Sequence, residues 1–510
     1  MSALPRFAAI DVGSNAIRIK VVETSSATHW KEVHASRQPV RLGREVFLTG
    51  QIAPASADAA AAAFRGFREA LAGVGSSHVR AVGTSAMREA KNKKSVVDRI
   101  ERESQIRVEI IEGLEEARLI RLGVDRAVEL GQGRVLLIDV GGGSVELTGL
   151  SDGAQRFASS LQIGTVRLHE AFLGDKPVTR SQEMLLREYL NRVLEPALVA
   201  LGPLRPTRFI GTGGNLERLA VLCPVEQGKK DAIDTGSLRE LGPKLARMSA
   251  EERRTTYQLR EDRADVIVPA SYVLTRIADA LGAQRIAVPG VGLRDGVLCE
   301  MVEKHYGVWD YRREADALLG GARALGRRFQ FDEAHGEHTM KLAARIFDDL
   351  KSLHGLGAEE RLELSVAALL HDVGDFIANG GHHKHSHYII QHSDIGGLPP
   401  ERRRIVANVA RYHRGADPQP DHPNLAGLDK AEIAKVRKLA AILRVAEALD
   451  REHREKVSEV SVSVDKKRVV LRLRGEHDFS LEIWTVRRKA PLFEQVFDRT
   501  LEIEGPEAGL

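Results

Sequence analysis

The chain of 510 residues has two cysteines, Cys223 and Cys299. That is too few for a disulfide framework or a cysteine-rich zinc site, and a reducing cytoplasm is the home it implies. It has no apolar run long enough to cross a bilayer, so no membrane role is expected. Its opening, MSALPRF, leads towards a strand without the anatomy of a secretory signal. No low-complexity segment and no long Pro/Ser linker divides the chain, so its parts are expected to pack together. It also lacks an excess of one charge. With 75 basic and 71 acidic residues the formal net charge is +4, too even to announce a nucleic-acid binder. What remains, 43% hydrophobic and 29% charged residues, is the composition of a globular protein, long enough for roughly three to four domains.

The first half alternates strands with helical stretches such as DAAAAAFRGFREAL (residues 58 to 71), the pattern of an α/β protein. From about Ala315 to Asp450 the apolar spacing becomes helical, as in HTMKLAARIFDDL and RLELSVAALLHDV. After it, VSEVSVSVDKKRVVLRLRG alternates around Asp465 to Lys467 and predicts a hairpin, and LFEQVFDRTLEI predicts a helix followed by an edge strand.

One internal repeat stands out. IDVGSN, at residues 10 to 15, returns as IDVGGGS at residues 138 to 144. Each copy runs from an apolar strand to an aspartate, a glycine turn and an alternating stretch. Turned backbone N–H groups can cradle an anion where no Cβ intervenes. A carboxylate beside them fits a phosphate only if a divalent cation sits between. Three further glycine turns follow apolar runs: AVGTSAMRE (81 to 89), FIGTGGNLE (209 to 217) and IAVPGVGLRDG (286 to 296). In IEGLEEARLI (111 to 120) the adjacent acids Glu115 and Glu116 fall at a helix start, where they either complement the helix dipole or act on water.

IDVGSNAIRI, VGTSAMREA, GLEEARLIRLGV, LLIDVGGGSVEL and FIGTGGN, in this order and spacing, resemble the exopolyphosphatase/guanosine pentaphosphate phosphatase family. The resemblance implies an α/β fold: two actin- and sugar-kinase-like lobes of ribonuclease H-like topology, residues 1–128 and 129–310, facing each other across a cleft. By the same resemblance Glu116 is the catalytic base and Arg88 contacts phosphate. Asp139 and Glu146, with Asp11, hold Mg²⁺ or Mn²⁺. The phosphate cradle implied is Asp11, Gly13, Ser14 and Asn15 from the first copy and Gly141, Gly142, Gly143 and Ser144 from the second, with Gly211, Gly213 and Gly214 beside them. Val145 stands where the family often has threonine; alternation points it away from Ser144 and Glu146, so little should follow. The activity implied is release of terminal orthophosphate from inorganic polyphosphate, with guanosine pentaphosphate as an additional or main substrate. A sugar kinase of the same fold and a non-catalytic polyphosphate or alarmone receptor are the alternatives, and a homodimer is expected.

The helical stretch, residues 311–455, contains His338, His371, Asp372 and Asp450. This order resembles the HD superfamily of metal-dependent phosphohydrolases and implies a second site for a transition metal at those four residues. His382, His383, His385, His387 and His413 lie between them. Residues 456–510 are expected to form a small α/β domain.

Overall fold

The computed structural model describes residues 4–76, 78–308, 310–475 and 478–505. Two compact units result, Met1–Ala317 and Leu318–Leu510.

The first unit is built on two sheets. One runs β3 (Trp30–Gln38), β2 (Ile17–Thr24), β1 (Arg6–Val12), β4 (His78–Gly83), β5 (Val108–Ile110). The other runs β10 (Ala232–Asp234), β11 (Arg285–Ala287), β9 (Arg208–Thr212), β6 (Arg134–Val140), β7 (Val145–Ser151), β8 (Ala154–Leu161). In each, three antiparallel strands lead into parallel neighbours: β1 with β4 and β4 with β5, β6 with β9 and β9 with β11. The two lobes thus repeat one topology, as the resemblance to the actin and sugar-kinase fold implies. β10 is added antiparallel at the far edge.

The repeat seen in the sequence is a repeat in register. Val12 pairs Ile17 as Val140 pairs Val145, and Asp11 pairs Arg18 as Asp139 pairs Glu146. β1 and β6 are buried along almost their whole length, because each sheet is covered on both faces and the central strand must be apolar on both. Two helices, Gly113–Ala127 and Leu293–His305, pack between the sheets. Their Leu119, Ile120, Val124, Val297 and Leu298 share one core with Phe7 and Val82 of the first sheet and Val135 and Leu137 of the second. At their crossing the backbones touch: a Cβ on Gly296 would lie 1.7 Å from the carbonyl oxygen of Leu119. Only glycine permits that approach.

The second unit contains the helices Glu333–Asp349, Ala358–Leu370, His382–Gln391, Pro400–Arg411 and Lys430–Ala448. The predicted hairpin is β12 (Glu459–Val464) with β13 (Arg468–Arg474), and the predicted edge strand is β14 (Thr500–Glu504), parallel to β13. The helix Ser480–Phe497 precedes it. These C-terminal elements share a hydrophobic core with the helices: Val460, Val469, Leu471 and Phe493 pack with Leu342, Leu370 and Leu439. Neither cysteine is in a disulfide, and both are buried. No helix among the described residues is long and apolar enough to cross a membrane.

Candidate active site

The turns after β1 and β6 face a common cavity of about 120 Å³ in the first unit. Asp11, Gly13, Ser14 and Asn15 line it from the first lobe; Asp139, Gly141, Gly142, Gly213 and Gly214 from the second; and Glu116 from the N-terminal turn of the Gly113 helix. The N–H groups of Gly13 and Gly141 are used inside the turns, donating to Ala16 O at 3.2 Å and Ser144 O at 3.1 Å. These two N–H groups are therefore spent within the turns that shape the cradle. Gly213, at φ 99°, lets the loop pass within reach of the Val140 carbonyl. Three expected members of the cradle do not line the cavity, nor do Arg88 and Glu146. Gly211 lies inside β9 under Leu216, and Gly143 packs against Ser85 and Phe47. Ser144 is buried. Val145 sits in the lobe core with Ile138 and Leu147, turned away from the acids.

The acids converge. Glu116, Asp139 and Glu146 each offer an oxygen within 4.8 Å of the others. Thr212 donates to Asp139, and Ser160 Oγ donates to Glu146 Oε1 at 2.7 Å. The remaining oxygens, Oε2 of Glu116 and Oε2 of Glu146, are buried without a hydrogen-bond partner. Burial, then repulsion from Glu146, pushes Glu116 well above the usual carboxylate range. Burial also raises Asp139 to about 6 and, with the charge of Asp139, Glu146 to about 8. Buried carboxylates with empty lone pairs and mutual repulsion form a donor set that a hard divalent cation would satisfy.

The adjacent acids divide by partner. Glu115 turns to a paired interaction with Arg118, both bonds at 2.7 Å, and is occupied. Glu116 faces the cavity with Arg88 Nη1 at 3.9 Å. Arg88 is fixed by a 2.6 Å bond from Nη1 to Ile111 O, and its Nη2 is buried and unbonded. Gly113 starts the helix where a Cβ would meet Ser160 Oγ at 2.2 Å; the same hydroxyl that holds Glu146 thus sets the approach of Glu116.

In the second unit, side chains from five helix ends gather. His335 Nε2 is 3.2 Å from His371 Nε2, and His382 Nε2 is 3.2 Å from His413 Nε2. Asp372 belongs to both groups, His335–His371–Asp372 and Asp372–His382–His413. Burial lowers His371 to about 4 and holds His413 well below the ordinary histidine range, so both rings are neutral at pH 7. Two of the four residues expected here, His371 and Asp372, are brought together as such. His338 is not: its Nε2 lies 3.0 Å from Val457 O, and His335, one helical turn earlier, takes its place. Asp450 holds the ring of His335, with Oδ2 at 2.8 Å from Nδ1, while its Oδ1 accepts from the N–H of Arg454 and Glu455.

Residues 21–305 match the model of the Ppx/GppA phosphatase family, and residues 320–489 match that of Ppx/GppA phosphatase, domain III. The chain belongs to the Ppx/GppA phosphatase family. Among its relatives, a guanosine-5'-triphosphate,3'-diphosphate pyrophosphatase of Aeromonas hydrophila is 27% identical, over 86% of this chain and 87% of its own. Exopolyphosphatase 1 of Mycobacterium leprae is 29% identical over 58% of this chain and 90% of its own. The crystal structure of an exopolyphosphatase from Cytophaga hutchinsonii superposes with a TM-score of 0.55 at 29% identity, covering 59% of this chain and 98% of that one.

Several residues of this Ppx/GppA cleft escape a reading of motifs. Arg18, Arg263, Arg294, Thr165 and Asn215 line the cavity. Arg263 donates to Asn215 Oδ1 at 2.9 Å, and Asn215 to Thr165 Oγ1 at 3.1 Å. Burial, then the charge of Arg18, brings Arg263 down to about 9. Burial raises Asp11, and Arg18 and Arg294 counter it. One signal was available for Arg18: superposing the two repeats sets IDVGSNAIR against IDVGGGSVE, so Arg18 occupies the position of Glu146.

Proposed function

We propose that the cleft hydrolyses the terminal phosphoanhydride bond of inorganic polyphosphate, releasing orthophosphate, and accepts the 5'-triphosphate of guanosine pentaphosphate in the same grip. The observation that carries this is Glu116: a buried carboxylate oxygen that accepts no hydrogen bond, with Arg88 at 3.9 Å, clustered with Asp139 and Glu146 beside a cavity lined by two glycine turns. Asp139 and Glu146 would hold Mg²⁺, or Mn²⁺ in its place, which when bound neutralises their repulsion and polarises phosphoryl oxygens. Glu116 then takes the proton of the attacking water, its basicity raised by burial and by the charge of Glu146. Arg18, Arg263 and Arg294, which line the cavity, and Arg88, beside Glu116, supply the cationic side of the cleft, against which the negative equatorial oxygens and the rest of the phosphate chain are positioned. The backbone of Ser14, Asn15 and Gly142 adds donors from both lobes, while the side chains of Asn15 and Thr165 are spent on Asp262 and on the Gly141 carbonyl. A receptor without catalysis would have no need of a buried carboxylate oxygen that accepts no hydrogen bond, whose burial is unfavourable unless chemistry uses it.

Phosphate release measured side by side on polyphosphate, guanosine pentaphosphate and ATP tests the assignment. Polyphosphate should be cleaved fastest, and Glu116→Gln should bind substrate yet lose at least about 100-fold in kcat. Glu115→Gln, which removes only a partner of Arg118, should retain most turnover. Equal activity in the two variants would overturn the base assignment.

We further read the helical unit as HD-type. The reading is supported by the order His335, His371–Asp372, Asp450, with His335 in place of His338, and by imidazole and carboxylate donors suited to a divalent transition metal.

A further inference from the structure

One side chain outside the cavity joins three parts of the cleft. Arg167 belongs to the short helix Thr165–Leu168 of the second lobe and does not line the cavity. The start of that helix takes the carbonyls of the second glycine turn: Thr165 N–H donates to Gly141 O at 3.0 Å, Val166 N–H to Gly142 O at 2.8 Å and Gly164 N–H to Gly143 O at 3.1 Å. In a trans peptide the C=O and the N–H that follows it point in opposite directions, so these bonds turn the N–H groups of residues 142 to 144 away from the helix. Arg167 adds a second bond to the last of these planes, from Nε to Gly143 O at 3.0 Å.

The rest of the guanidinium reaches the first lobe. Nη2 donates to Glu89 Oε1, and to Gln162 Oε1 of its own lobe at 2.8 Å. Cζ lies 4.1 Å from the centre of the Phe47 ring, a cation–π contact. Glu89 ends the helix Ser85–Glu89, which carries Arg88, and its Oε1 also accepts from Ser85 Oγ at 3.0 Å. Phe47 lies on the helix Leu42–Thr49, where Gly43 N–H donates to Ser14 O of the first glycine turn at 2.8 Å. The lobes meet at Gly143: a Cβ there would stand 2.3 Å from Ser85 Oγ and 2.6 Å from Phe47 Cζ. One planar fork thus serves a carbonyl, a carboxylate and a ring face together, which an ammonium cannot do. The pair with Glu89 is partly exposed and by itself worth little to stability. What it fixes is geometry.

We propose that Arg167 is a positioning residue of the cleft: it touches no substrate, and it sets the Arg88 helix of the first lobe against the second glycine turn so that both meet the same phosphoryl group. The proposal rests on the reading of the cleft as a phosphoanhydride hydrolase. Arg88 stands 3.9 Å from Glu116, so a shift of its helix moves the cation relative to both the base and the turn. Misplacement by about 1 Å costs on the order of 100-fold in rate when catalysis is mainly positioning.

The test is steady-state hydrolysis of polyphosphate by the full chain carrying Arg167→Ala. Its kcat should fall about 30- to 100-fold with KM changed less than about threefold, since alignment of the bound phosphate is what is lost. Added methylguanidinium should restore part of the loss in a saturable way and methylammonium should not; neither should restore Glu116→Gln. Glu89→Gln should share the loss, and the double variant should be little slower than Arg167→Ala, because both act through one contact. Backbone hydrogen exchange reads the same link without substrate. Residues 84–91 and 140–147 should exchange about 10-fold faster in Arg167→Ala, with the helix Arg180–Leu201 unchanged. Were the unsubstituted protein to release phosphate from neither polyphosphate nor guanosine pentaphosphate, the reading of the cleft would fall and the positioning role with it. A substituted protein that keeps its kcat, or whose exchange at both segments is unchanged, would overturn the inference alone. So would a loss that methylguanidinium leaves untouched and that follows the melting temperature.

Discussion

At the scale of single residues, the cleft depends on charges whose partners decide their state. Glu300 on the Leu293 helix is the clearest case outside the cavity. Burial by itself raises its pKa, but Arg118, Arg80 and Lys304 outweigh burial and bring it down to about 2, against an ordinary 4.5. Arg118 Nη2 lies at 2.7 Å and Arg80 Nη1 at 3.3 Å. A carboxyl depressed in the folded state contributes stability that is fully present above the unfolded pKa and is lost as pH falls through the folded one. Glu300→Gln should therefore cost about 3 kcal/mol at neutral pH. The gap between the two urea midpoints should stay constant down to about pH 5 and close between 4.5 and 2; a gap that does not narrow in acid would assign the loss to packing. Residue identity was only partly legible in the sequence. Glu115 and Glu116 are neighbours in the chain, and their different fates follow from Arg118, one turn along, and from Ser160 on a distant strand. His335 and His338 lie one turn apart on one helix face, so spacing alone could not choose between them, and Val457, which claims His338, is remote in sequence.

At the scale of elements, the strand-turn-strand repeat, the hairpin at Asp465 and the helical stretch were legible because a period of two or of 3.6 is written locally. The sandwiching of two helices between two sheets was not, because it is fixed by pairs such as Leu119 and Gly296 that periodicity cannot join. That crossing gives a direct test. Gly296→Ala places a methyl group in the backbone of the facing helix, so the helices must separate, at a cost of about 1–3 kcal/mol or more. Since Glu116 rides on the displaced helix, kcat should fall with the melting temperature. Gly66→Ala, in the helix Pro54–Gly73 with nothing within 4 Å of the new methyl, should instead raise stability by about 0.5–1 kcal/mol and leave kcat alone. Equal effects of the two substitutions would remove the crossing as the cause.

At the scale of the whole molecule, a formal charge of +4 is spread over 510 residues, and the cavity sets Arg18, Arg263 and Arg294 among the acids Asp11, Glu116, Asp139, Glu217 and Asp295. Attraction of a polyanion thus rests on those three arginines, and salt should screen the encounter more than the chemistry. The KM for polyphosphate should rise several-fold from low to high KCl with kcat little changed, as initial rates would show; a kcat that falls in parallel would mean that salt acts on the cation site. The repeated turns carry a last consequence. Polyphosphate is the same read from either end, so a protein that removes units from one terminus must supply the direction itself. Two identical grips could not. At equivalent places in the two copies this chain carries Arg18 and Glu146, one repelling cations and the other gathering them. With the smaller differences Ser14/Gly142, Asn15/Gly143 and Ala16/Ser144, that exchange of charge makes the grips unlike, and unlike grips can give a directionless polymer a front and a back.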